Sequence, residues 1–131
     1  MILIACVDDN MGLAFNGRRQ SRDSAVIDRI RSLTAGNGLW VSPYTAKLFA
    51  GDVLSAEDFL ERCGDNEFAF TEIVPTGKIA HRIERVVLYR WNRVYPADVH
   101  FDLDLTGWKL VSTAEFAGTS HENITEEIYE K

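Results

Sequence analysis

The chain opens MILIACV, a continuous apolar run that stops at Asp8-Asp9-Asn10. An alternating run would leave one face in water, whereas an unbroken one is buried on both faces, as in the central strands of a largely parallel sheet. Such a strand needs cover above and below it. The first eight residues therefore restrict the chain to a layered α/β architecture.

The rest of the pattern supplies the layers. After a loop with Gly12, Asn16 and Gly17 as turn-competent residues, spacing turns helical from Ser21, with Val26, Ile27, Ile30 and Leu33 on one stripe and Gly36 just past its end. Residues 38–42 read as a short buried strand. Ser42-Pro43 then starts a helix, with Ser as N-cap and Pro at the first helical position, running through Leu48 to Gly51. Ser55-x-x-Asp58 has capping-box spacing and opens a helix that carries Phe59 and Leu60 and stops at Gly64. Strands are expected at 67–71 and 86–92, with a short helical segment over 75–83 between them. The last two strands, 107–117 and 121–129, alternate and are joined through Gly118-Thr119-Ser120 as an antiparallel hairpin. The sum is a three-layer α/β/α sandwich, mostly parallel with a C-terminal antiparallel hairpin, in one domain spanning 1–131.

Composition bounds the function. A hydrophobic share of 46% supports a full core, and the formal charge of −6 argues against a nucleic-acid surface, which needs clustered Lys and Arg. No apolar run approaches the ~20 residues that span a bilayer. The N-terminus lacks a basic n-region, so Cys6 and Cys63 are expected as reduced thiols in a cytoplasmic protein. Glu122, Glu126, Glu127 and Glu130 read as a solvated strand face. His81, His100 and His121 show no metal-ligand spacing, no zinc site is expected, and no Ser-His-Asp set has recognisable local context. Trp40, Trp91 and Trp108 read as core or half-buried sheet residues.

Val86 to Lys131 places Asp98-Val99-His100-Phe101 before a strand begun by Trp108, and Leu3-Ile4-Ala5-Cys6-Val7-Asp8 with Gly12 opens the chain. This order resembles the dihydrofolate reductases, strongly at the two ends of the chain. The resemblance implies that family's fold, an NADPH cofactor and a pterin-like substrate, but the residues that would hold the cofactor depart from the pattern. Asp52-Val53-Leu54 stands where the family has a whole strand, its substrate-clamping arginine and its adenosine contacts. Thr71-Glu72-Ile73-Val74-Pro75 replaces a Gly-Gly pair whose small residues let backbone approach the cofactor diphosphate at a helix N-terminus. Glu72 sets a carboxylate where that diphosphate would rest, and instead suits the helix N-terminus itself. Ser42-Pro43-Tyr44-Thr45 keeps only the Thr of a Gly-Arg-x-Thr phosphate motif.

Asp23 matches the carboxylate through which the family protonates its substrate. A buried acid there would have a raised pKa, with Tyr89, in place of the usual threonine, as its hydrogen-bond support; the competing reading is a helix N-cap. The expected pocket is lined by Ile4, Ala5, Cys6, Ile27, Thr45, Thr71, Glu72 and Thr76. Arg18, Arg19 and Arg22 form a candidate anion-binding cluster, or an exposed loop paired with local acids.

Two functional readings follow. The first is a divergent relative that is not a working NADPH-dependent reductase and keeps the fold to bind a small ligand or a protein. The second is an NADPH-dependent reductase of dihydrofolate or a related pterin, with Asp23 as proton donor. The first expects no cofactor, the second NADP. A homodimer through a sheet edge exposed by the trimmed strand is a further expectation.

Overall fold

The computed structural model describes residues 1–131. In chain order its elements are β1 (Ile2–Val7), β2 (Gly12–Phe15), β3 (Arg18–Arg19), α1 (Ser24–Thr34), β4 (Leu39–Val41), α2 (Pro43–Ala46), β5 (Leu54–Ser55), α3 (Phe59–Arg62), β6 (Phe68–Thr71), a 3-10 segment (Gly77–Arg82), β7 (Arg85–Arg90), β8 (Val99–His100), β9 (Lys109–Phe116) and β10 (Ile124–Glu130). Seven strands make one sheet in the order β5-β4-β6-β1-β7-β10-β9. The strand that opens the chain lies in its middle, parallel to β6 on one side and to β7 on the other. The antiparallel part is β10, which lies between β7 and β9.

Two separate apolar layers explain why β1 has no polar alternation. Leu3, Ala5 and Val7 face Phe59, Leu60, Ile83, Val86 and Leu88 on one side of the sheet. Ile4 faces the other way, onto Val26 and Ile30 of α1 together with Val41, Phe70, Val87 and Tyr89. The expected three-layer sandwich with its antiparallel C-terminal hairpin is the architecture observed.

Local differences from the sequence reading have identifiable causes. The loop around Gly12 is a hairpin: Asn16 and Gly17 both have positive φ, 53° and 71°, and β2 pairs with β3 across them. Positive φ at both central residues is the type I′ geometry that an Asn-Gly pair favours, so a tight hairpin stands where a loop is expected. With β8 these strands form a second, three-stranded sheet over the carboxyl end of β1. Helix α1 starts at Ser24 because Asp23 caps it, accepting from the Ala25 N–H. Ser42 caps α2 as expected, but α2 ends at Ala46 and tightens into the bonds Leu48 N–H to Thr45 O and Phe49 N–H to Ala46 O.

The expected capping box does not form. Ser55 belongs to a strand, and Asp58 precedes α3 without a side-chain cap. The trimmed region is also not empty, since Leu54 and Ser55 pair with Trp40 and Val41 as a two-residue edge. That edge offers little backbone for a partner strand. The long edge of the sheet is β9 on the opposite side, eight residues and largely exposed.

Candidate functional site

Open α/β sheets bind ligands in the crevice beyond the carboxyl ends of their parallel strands. Here those ends bring Thr45 after β4, Glu72 after β6 and Cys6 at the end of β1 to one place, and the β2–β3 hairpin lays Arg19 across them. Arg19 donates Nε–H to Glu72 Oε2 at 2.8 Å and Nη2–H to Oε1 at 3.0 Å. Thr45 donates its hydroxyl to Oε1 at 2.8 Å, and Ser42 donates to the Thr45 oxygen at 3.3 Å. The Arg19 guanidinium also lies 4.2 Å from the centre of the Tyr44 ring, whose hydroxyl accepts the Arg19 backbone N–H at 3.1 Å. Arg19 and Glu72 keep only 19% and 7% of their side chains exposed, so a bidentate ion pair is built into the crevice.

Beside this pair a slot lined by Cys6, Leu13, Gln20, Ser21 and Trp91 has a volume of about 10 Å³. That is room for about one water. Desolvation pushes the Cys6 thiol well up, and the carboxylates of Glu72 and Asp23 add to it, so the thiol stays protonated and unreactive.

Glu72 does not take the helix N-terminus that the sequence assigned to it. The segment after β6 is 3-10, and its first N–H groups are taken by Asp102, 25 residues further along the chain. Asp102 Oδ1 accepts from Thr76 N–H and from Gly77 N–H, both at 2.8 Å. A Cβ on Gly77 would lie 2.7 Å from Asp102 Oδ2, so only glycine allows this approach.

Asp23 is buried, and its carboxylate is saturated with donors. Oδ1 accepts from Ala25 N–H, Thr119 N–H and the Thr119 hydroxyl, each at 2.9 Å. Oδ2 accepts from Ser120 N–H at 2.7 Å, His121 N–H at 3.1 Å and His121 Nδ1–H at 3.0 Å. Desolvation alone would raise its pKa, but the hydrogen bonds from the Thr119 backbone, the His121 ring, the Ser120 backbone and the Thr119 hydroxyl outweigh it. The carboxyl is held well below the usual carboxylate range. The expected raised pKa is thus corrected, and the N-cap reading of Asp23 holds.

Tyr89 does not support Asp23 either. It is fully buried and donates its hydroxyl to Glu126 Oε2 at 2.9 Å. Arg29 of α1 closes the same carboxylate bidentately, at 2.8 and 3.1 Å. Glu126, read as part of a solvated face, is buried; Arg29 first and Tyr89 second hold its carboxyl below the usual range, against desolvation.

His121, with no role in the sequence reading, joins these parts. Its ring stacks on Trp91 at 4.5 Å between centroids, and its Nε2 lies 3.2 Å from Ser21 Oγ and 2.9 Å from the Tyr95 hydroxyl. Because ionised Asp23 can only accept, Nδ1 carries a proton. Ser21, His121 and Asp23 follow the order of a serine-nucleophile relay. Tyr95 shares Nε2 and the slot at Ser21 has no room for an acyl group, so the chain works as a structural tie.

The other expected pocket residues separate. Ile4 and Ala5 lie in opposite apolar layers of the sheet and cannot line one cavity. Thr71 donates to Val74 O at 2.7 Å, shaping the turn after β6, while Thr76 sits with Asp102. Ile27 lines a different cavity of about 470 Å³, which Arg22 also borders. Arg18, Arg19 and Arg22 therefore do not converge: Arg18 is exposed on the hairpin and Arg19 is spent on Glu72. No helix is long and apolar enough to cross a membrane.

No protein-family model matches the chain, and no curated protein matches it. Among solved structures, a dihydrofolate reductase from Enterococcus faecalis, complexed with NADP(H) and RAB-propyl, superposes with a TM-score of 0.70 over 98% of this chain and 94% of that one, at 14% identity. The fold is that of a dihydrofolate reductase. The ends of the chain that carry the resemblance form the central strand β1 and the run from β7 to β10. A dihydrofolate-reductase fold with a nicotinamide dinucleotide bound needs a cation or free N–H groups for the diphosphate and space for the ring. In this chain Arg19 is paired to Glu72, the Thr76 and Gly77 N–H groups at the start of the 3-10 segment are held by Asp102, and the adjoining slot admits about one water. The residues present do not fit the cofactor.

Proposed function

We propose that this chain keeps the dihydrofolate-reductase frame without working as an NADPH-dependent reductase, and that it uses the frame to bind a small ligand or a protein. The observation that carries the reading is the Arg19–Glu72 pair, sealed by Thr45 at the carboxyl ends of the parallel strands. A diphosphate placed there would meet a carboxylate whose counter-charge is already engaged; like charges a few ångströms apart repel by several kcal/mol at an effective dielectric near 20. The competing reading, reduction with Asp23 as proton donor, needs a carboxyl that is protonated near neutral pH. Asp23 is instead held ionised by six donors.

The test is thermal unfolding with and without millimolar NADPH, alongside an assay of NADPH oxidation with dihydrofolate. The reading expects no rise in Tm from cofactor binding at the crevice and no turnover; a ligand that binds only the native state must raise Tm. NADPH oxidation that depends on dihydrofolate would overturn it.

A further inference from the structure

Every sheet edge in the molecule but one is two residues long. β5 closes one side of the main sheet with two residues, and β3 and β8 close the smaller sheet with two each. β9 closes the other side of the main sheet with eight, Lys109 to Phe116, and pairs only with β10. An edge of that length leaves a row of backbone N–H and C=O groups facing outward, ready to pair with another strand.

Proteins guard such edges with charge, proline or bulges. Here the guard is thin. Residues 110–114 read Leu-Val-Ser-Thr-Ala, without a charge, a proline or a glycine. The one bulge lies at Val111, which has no partner between the Leu110–Tyr129 and Ser112–Ile128 pairs, and the register from Ser112 to Phe116 is regular. Leu110 and Val111 stand next to each other at 46% and 43% exposure, and every residue from Lys109 to Thr113 is exposed.

The charges on this strand point to its partner. Lys109 stands at one end and Glu115 near the other, and neither has an ion-pair partner within the chain. Glu115 accepts only from the side-chain amide of Asn123, at 3.2 Å. A second copy laid antiparallel along β9 sets each Lys109 end beside the other copy's Glu115 end, whereas a parallel copy would set like charges together. The chain as a whole carries −6, which opposes self-association, so copies meet best along a strand that is itself neutral and complementary to its own reverse.

We infer that two copies of this chain pair through β9, antiparallel about a two-fold axis near the middle of the strand, joining their seven-stranded sheets into one continuous sheet. The pairing uses the same patch on both copies and occupies the only long edge each one has. It therefore closes at a dimer and does not grow into a filament. A contact along one strand is small beside the roughly 20–30 residues a side of a stable interface, so the dimer forms and dissociates with concentration. The inference goes beyond the reading of the crevice and holds with or without a ligand there.

Sedimentation velocity on the full chain, without ligand, from about 10 µM to about 1 mM tests it. The mean mass should climb from one chain toward two and go no higher. Val111→Lys puts a charge on the edge and should weaken the dimer by about tenfold or more. Leu54→Ser, on the short opposite edge, should dimerise as the parent does. Lys109→Glu and Glu115→Lys change the net charge in opposite directions, yet each should weaken the dimer about fivefold, because the two-fold axis repeats every change; the double reversal should restore it. Both reversals lie at exposed positions, so they carry the test even where Val111→Lys fails to fold. A mass that stays at one chain up to about 1 mM overturns the inference and leaves the edge to a strand of another protein. Assembly beyond two copies, a dimer that Leu54→Ser weakens and Val111→Lys does not, or a double reversal no tighter than the single ones overturns it as well.

Discussion

The carboxylate of Glu72 accepts both Nε–H and Nη2–H of Arg19, at 2.8 and 3.0 Å, with one partner on the strand exit after β6 and the other on a hairpin 53 residues earlier in the chain. This pair closes the crevice and ties the β2–β3 hairpin to the main sheet. Removing one partner of a buried pair leaves an uncompensated charge, which costs roughly 3 kcal/mol, whereas apolar replacement of both costs far less. Arg19→Met is therefore expected to be strongly destabilising and Arg19→Met with Glu72→Leu nearer to the parent. Urea unfolding of the two variants measures the difference; additive losses would mean that the two side chains act independently.

Asp23 makes stability depend on acid. Its folded pKa lies below the value in the unfolded chain, so its contribution is complete above the ordinary carboxylate pKa of about 3.9 and is lost as pH falls through the lower folded value. Asp8 adds to this, because the Tyr95, Gly12 and Asn10 backbone N–H groups and the Gln20 amide outweigh desolvation at its carboxylate. Glu126 does the same through Arg29 and Tyr89. Stability should stay level from about pH 7 to 5 and fall steeply below about pH 4. Asp23→Asn should flatten that acid limb in a pH series of denaturant midpoints.

Gly118 is required by contact rather than by its dihedral angles. A Cβ there would sit 2.4 Å from Asp23 Oδ2 and 2.8 Å from His121 O. Gly118→Ala is expected to force the turn off Asp23 and to cost roughly 1–3 kcal/mol, as overpacked sites do. Gly36 has a positive φ of 80° but open space around it, so Gly36→Ala reports backbone strain alone. Thermal melts of the two variants separate the effects, and equal losses would contradict the crowding at Asp23.

Tyr89→Phe removes one donor from Glu126 and keeps the ring edge-on to Phe116, 6.2 Å between centroids. Hydrogen bonds to charged groups contribute about 1.5–3 kcal/mol, and Arg29 remains, so a loss near 1.5 kcal/mol is expected. The Glu126 carboxyl should also titrate higher, which carboxyl-carbon NMR measures directly.

Much of the frame could be read from residues alone because it depends on local pattern. The unbroken run from Ile2 to Val7 identified the central strand, and the Ser42-Pro43 pair marked a helix start that the structure keeps. The site was less legible, since its bonds join residues far apart in the chain. Arg19 meets Glu72 across 53 positions and Asp23 meets His121 across 98, and no spacing rule reports such pairs. Asp23 was singled out as a buried acid, but its protonation depends on the 119–121 turn folding back onto it. Glu126 looked solvated because Arg29 lies on another element. The Asn16-Gly17 pair was a local signal within reach, and it places the hairpin that carries Arg19.

The central claim is that the Arg19–Glu72 pair leaves no seat for a dinucleotide. Trp91, only 3% exposed, lines the residual slot beside Cys6, within energy-transfer reach of a nicotinamide bound there. The most direct measurement excites tryptophan and follows reduced-nicotinamide emission while NADPH is titrated into the parent chain. The account predicts no saturable transfer up to about 1 mM, a dissociation constant that corresponds to about −4.1 kcal/mol. A saturable signal that Glu72→Gln strengthens, by removing the carboxylate from the diphosphate's place, would contradict it.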